Sequence, residues 1–140
     1  MKFTFSIKTL ALASVMSLGM LAPANADDDE TPLGKQMETL SGSLKKLRKA
    51  ETTEEKVALV LAAQAATIKT LAYLPMIFKD LKDEKEKAKA TSGYKMLVGQ
   101  TYVKLCELEM AYLAGDEDKA DEIKGQLKDL KKEGHEKYTE

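Results

Sequence analysis

The stretch from Gly115 to Tyr138, GDEDKADEIKGQLKDLKKEGHEKY, decides how this chain is read. Gly115 suits a left-handed turn that closes a preceding helix, and Asp116 follows as an N-cap for the next one. Ala120, Ile123, Leu127, Leu130 and Tyr138 recur three, four or eight residues apart, the spacing of one narrow apolar stripe on a helix. Most other positions are Lys, Asp or Glu, so a helix this polar folds only by laying its stripe against partners. His135, the only histidine of the 140 residues, stands beside the end of that stripe and is expected to be carried toward an interior. The plainer reading makes it a helix-end residue, placed where positive charge is favoured.

Three further helices are expected upstream. Thr31 as N-cap and Pro32 in the first turn open the first. Its stripe is Leu33, Met37, Leu40, Leu44 and Leu47, and it runs to about Ala50. Met37 taken alone is a gap-filling core methionine. Thr52-Thr53-Glu54-Glu55 reads as a capping box for a second helix that runs to about Leu74, where Pro75 disrupts it. There Val57, Leu61, Ile68 and Leu71 stand among Ala62, Ala63, Ala65, Ala66 and Ala72, small residues that allow close approach or leave room for something bulky. Residues 76–92 form a long connection, with a charge run from Asp80 to Lys89 that is open to a helical reading but is largely solvated. The third helix is expected from about Ser92 to Ala114, with Tyr94, Leu97, Val98, Leu105, Leu108 and Tyr112 as its apolar face. No internal repeat and no strand-like alternation interrupts this pattern. The expected fold is all-α, an antiparallel up-down-up-down four-helix bundle.

Residues 1–26 read as a cleaved signal peptide. Lys2 and Lys8 make a basic start, Thr9 to Leu21 is apolar, and Ala24-Asn25-Ala26 is a small-x-small cleavage site. The apolar run is too short for a membrane span; an uncleaved amphipathic anchor is the bland alternative. The expected mature chain, residues 27–140, is one domain with no membrane span and a formal charge of −3. That sign argues against nucleic acid as a partner. An exported chain meets an oxidising compartment, yet Cys106 is the only cysteine, so no disulfide forms within the chain. Without a Cys-x-x-Cys-His motif, covalent c-type haem attachment is excluded.

In an up-down-up-down path the start of the first helix lies beside the end of the fourth, which brings Met37 and His135 to one end of the core. A thioether and an imidazole facing each other suit low-spin haem iron. They fill both axial positions and favour the ferrous state, a design for moving one electron rather than transforming a substrate.

The residues also resemble those of the soluble periplasmic cytochrome b562 family. Met37-Glu38-Thr39-Leu40 is followed by Leu44-Lys45 and Lys49-Ala50. Leu97-Val98-Gly99-Gln100 stands in the third helix. Gly115 leads after twenty residues to His135, with Gln126-Leu127-Lys128 between and Lys137-Tyr138 closing. The resemblance implies a periplasmic electron carrier, not an enzyme, with one non-covalent haem b per chain and Met37 and His135 as axial ligands. It implies a monomer that meets redox-protein partners weakly and transiently, and the acidic balance suggests a basic face on the partner. Tyr94 looks like the counterpart of a haem-packing Phe. Gly134 replaces a larger residue of the family, and the third helix looks about one turn longer. Two other readings stay open: a haem-free helical envelope module that binds clients in an apolar groove, and a copper-handling protein using methionine and histidine. Met37, Met76, Met96 and Met110 form no tight cluster for the latter. No Ser/His/Asp or Cys/His order, phosphate loop or distinct carboxylate pair suggests a hydrolase or transferase.

Overall fold

A computed structural model describes residues 31–139; the signal-peptide reading of residues 1–26 lies outside the described residues. Among them are four α-helices and no strand: α1 Pro32–Lys46, α2 Thr53–Thr70, α3 Glu84–Ala114 and α4 Glu117–Tyr138. Short 3₁₀ turns follow α1 (Leu47–Lys49) and precede α3 (Met76–Lys79). None of the described helices is long and apolar enough to cross a membrane.

The helix starts lie where local chemistry dictates. Thr31 Oγ1 accepts from Gly34 N at 3.0 Å, with Pro32 in the first turn. At α2 the capping box is complete: Thr52 Oγ1 accepts from Glu55 N at 3.2 Å, and Glu55 Oε2 accepts from Thr52 N at 3.3 Å. Gly115 has φ +69°, a left-handed conformation that costs glycine little, and Asp116 then accepts from Lys119 N at 2.9 Å.

Three boundaries differ from the sequence expectation. Regular α1 stops at Lys46 and tightens into the 3₁₀ turn. α2 ends at Thr70, because the N–H groups of Leu71, Ala72 and Tyr73 bond three residues back before the chain must extend ahead of Pro75. The third helix begins at Glu84, eight residues before Ser92. Asp83 caps it by accepting from Glu86 N at 2.8 Å, and Glu84 and Glu86 stabilise its first turn. The charge run is thus mostly helix, and α3 reaches 31 residues.

The main core draws on all four helices: Leu40 from α1, Val60, Ala63 and Ala66 from α2, Leu105, Leu108 and Ala111 from α3, and Ala120, Ile123 and Leu127 from α4. Two polar links hold one side of it. Gln64 Nε2 donates to Glu109 Oε2 at 2.7 Å, and Lys56 Nζ pairs with Glu117 Oε1 at 2.6 Å while standing 5.3 Å from the Tyr112 ring centroid. A second, smaller core holds Phe78, Tyr94 and Val98, with Leu33, Ile77, Leu81, Ala90 and Tyr138 against it. α1 packs on α2, α2 on α3 and α3 on α4, whereas the α1–α4 pair does not approach as closely.

Thr52→Ala should cost about 1 kcal/mol in chemical denaturation, with the slope against denaturant unchanged. Hydrogen bonds from the Glu51 and Thr52 N–H groups hold the Glu55 carboxyl below its ordinary value. Its contribution is therefore present above the ordinary glutamate range and is lost as pH falls through the lowered folded value. Glu55→Gln should flatten that part of the acid limb of the Tm–pH curve.

Candidate functional site: a cavity between the two cores

The interval between the two cores is a cavity of about 550 Å³. That is within the range of small-molecule and cofactor sites, roughly 300–1,000 Å³. Leu40 and Leu127 of the main core floor one side, and Tyr94 and Val98 of the smaller core close the other. Leu33, Leu44, Leu97 and Leu130 add aliphatic wall, and Thr31, Ser41, Thr67, Thr70, Thr101 and Thr139 bring hydroxyls to the lining.

All three residues singled out in the sequence line this cavity. Met37 lies on the α1 side and is 37% exposed, so it is not packed into either core. His135 lies in the last turn of α4. The expectation that it enters the interior is corrected: it stands at the cavity mouth and is exposed, because it is one position off the stripe and α4 ends at Tyr138. Its Nδ1 is 2.8 Å from the Lys131 carbonyl oxygen. A carbonyl only accepts, so Nδ1 carries the hydrogen and, in the neutral ring, the lone pair is on Nε2. A backbone carbonyl orienting the imidazole in this way is the usual support for a histidine that ligates through its other nitrogen.

Tyr94 is buried, and its hydroxyl donates to the Thr70 carbonyl at 3.2 Å. Burial pushes its phenol above the usual value, more than the bond to Thr70 counteracts, so it remains a neutral donor near neutrality. Its ring meets Phe78 (6.2 Å) and Tyr138 (5.6 Å) edge to face, and those two meet each other at 5.7 Å.

Phe78 was missed in the sequence because it sits in a connection with no periodic pattern around it. Its signal was compositional: it is the only phenylalanine after residue 5, and a Phe between Pro75 and a charge run has few apolar partners except a core. Gly134 also acquires a role. A Cβ there would stand 3.1 Å from a Leu97 methyl, a close approach of α4 to α3 beside the cavity.

Among the described residues no group of three or more His, Cys, Asp or Glu side chains could hold a metal ion. Cys106 is a partly buried free thiol remote in sequence from every cavity-lining residue except Thr101. No protein-family model and no curated protein matches the chain.

Gly134→Ala tests the packing. Leu97 lines the cavity and has room to turn its methyl aside, so the lower backbone entropy of alanine should dominate. The variant should be more stable by roughly 0.5–1 kcal/mol in urea or thermal unfolding.

Proposed function

We propose that the protein is a periplasmic electron carrier of the cytochrome b562 type, an antiparallel up-down-up-down bundle that binds one non-covalent haem b. The observation that carries this reading is that Met37 and His135, about a hundred residues apart in sequence, border the same apolar cavity. Contacts in which numbers rise along one helix as they fall along the next support the topology: Gln64 meets Leu105 and Thr70 meets Tyr94, and Leu97 lies against Gly134 where Gly93 lies against Tyr138.

The residues fit the group on chemistry. A cage of side chains would need three or more ligands, whereas a macrocycle brings four nitrogens of its own and asks the protein for two. Met37 and His135 would supply them. The group when bound supplies a reversible one-electron couple. Met37, a weak and soft donor, favours the reduced charge state. Lys131, through its carbonyl oxygen, holds the His135 imidazole in one tautomer and orientation and raises its basicity. Leu33, Leu40, Leu97, Val98 and Leu130 keep water from the cavity, and Tyr94 is anchored by Thr70 so that its ring forms a fixed wall. With two protein ligands no position is left for substrate, so the reading is a carrier and not an enzyme.

The test is optical. Titrating the purified protein with haem should give the spectrum of a six-coordinate low-spin b-type haem with one haem per chain, and should raise Tm because the ligand binds the native state. Met37→Ala and His135→Ala should each abolish the six-coordinate spectrum and weaken haem binding by at least about tenfold, equivalent to about 1.4 kcal/mol. A haem-independent Tm with no Soret shift would remove the carrier reading in favour of a haem-free helical binding module.

A further inference from the structure

The outer side of the α1–α4 gap carries a second recess, a groove of about 980 Å³. Leu44 and Leu127 line it, as do Gly42 and Gly125, where a Cβ would meet nothing within 4 Å. Its walls hold Lys45 and Arg48 from one side and Lys124, Lys128, Lys131 and Lys132 from α4, against one acid, Glu38. Lys124 is paired with Asp121 at 2.6 Å and Lys132 approaches Glu136 at 3.8 Å. Lys131 donates to the neutral Ser41 hydroxyl at 3.2 Å. Lys45, Arg48 and Lys128 make no ion pair among the described residues, and all three are exposed.

This concentration is hidden by the overall charge. From Thr31 to Thr139 there are 20 Lys and Arg against 18 Asp and Glu, a net of +2; the negative sign of the expected mature chain comes from residues 27–30 and Glu140. The expectation of a basic partner is therefore reversed for this face. The groove is also continuous with the cavity, since Ser41, Leu44, Leu127, Lys131 and His135 border both.

We propose that this groove is the docking face for an acidic protein, which seats the carboxylates of a short exposed segment among Lys45, Arg48, Lys128 and Lys131 beside the His135 ring. The size and edges of the patch favour a protein over other polyanions. Lys124 to His135 spans about 16 Å of helix, a little over three turns. On the adjoining side of α4, Asp121, Glu133 and Glu136 pair with Lys124, Lys137 and Lys132 and Asp129 adds a negative charge, so the positive charge is confined to the groove. Duplex nucleic acid and an anionic membrane are continuous in charge and extend past so small a patch, whereas a protein presents a bounded acidic patch. The groove belongs to the protein itself, so the proposal stands apart from the haem reading; where both hold, the partner approaches the haem by way of His135.

The experiment is a titration of the purified protein, with and without added haem, by poly-L-glutamate of about twenty residues, followed by heteronuclear NMR at low salt. Amide shifts should concentrate on residues 38–48 and 124–135. Lys45→Glu/Lys128→Glu should weaken binding by at least about tenfold with Tm unchanged, as both side chains are exposed, and added salt should weaken binding in the same direction. Lys85→Glu/Lys95→Glu, a reversal of two exposed charges on α3, should leave the affinity as it was. Shifts centred elsewhere, no saturable binding, or equal losses from both double reversals would overturn the proposal. So would tighter binding on the same residues by a twenty-base-pair DNA duplex or by phosphatidylglycerol vesicles. Intact polyglutamate binding in a protein that fails to take haem would sink the haem reading alone.

Discussion

Three aromatic rings hold the cavity end of the molecule together. Phe78 comes from the connection, Tyr94 from α3 and Tyr138 from the last turn of α4, and each pair meets edge to face at 5.6–6.2 Å between centroids. This geometry sets the positive ring edge of one against the negative face of another, adding roughly 0.5–1.5 kcal/mol per pair to ordinary burial. Its larger effect is positional. It fastens the 71–83 connection to α3 and anchors the end of a helix whose charged surface has little other reason to stay docked. His135, one turn before Tyr138, is held at the cavity mouth for that reason. Gly93 makes the arrangement possible, since a Cβ there would lie 2.8 Å from the Tyr138 hydroxyl.

The cavity follows from what the two cores leave between them. The main core is closed by interlocking aliphatic side chains, with Leu105, Leu108 and Ile123 fully buried at its centre. α1 and α4 approach each other less closely than the other neighbouring helices do, and Lys131 reaches across to the Ser41 hydroxyl at 3.2 Å. Met37 and an imidazole bonded to the Lys131 carbonyl stand at the edges of that gap. The same separation, seen from outside, makes the basic groove. One feature of packing thus produces an apolar interior recess and a cationic exterior one that share His135 and Lys131.

The charge pattern on α4 serves folding and surface chemistry together. Its buried stripe is narrow, with Ala120, Ile123 and Leu127 as the only fully interior positions. The flanks are stabilised locally by pairs such as Lys119–Glu122 and Lys137–Glu133, each worth a few tenths of a kcal/mol at best. Lysines remaining after those pairings fall toward α1 and acids toward the opposite flank. A net charge close to zero therefore conceals a concentrated basic face.

Residue order alone revealed the local features. The caps at Thr31, Thr52 and Asp116 and the left-handed Gly115 were all legible, because capping and turn chemistry act within one helical turn and depend only on neighbours in the chain. The start of α3 was legible in principle, since Asp83 stands three residues before Glu86 in a capping pattern, but without an apolar stripe the charges resembled a solvated loop. That Met37 and His135 share one end followed from helix order alone. Tertiary structure alone decided the burial of Phe78, the exposure of His135, the separation of α1 from α4 and the sign of the face between them. Each of these depends on distances between residues remote in the chain, set by how bulky side chains fill space at every other contact, and no periodicity within a single helix carries that information.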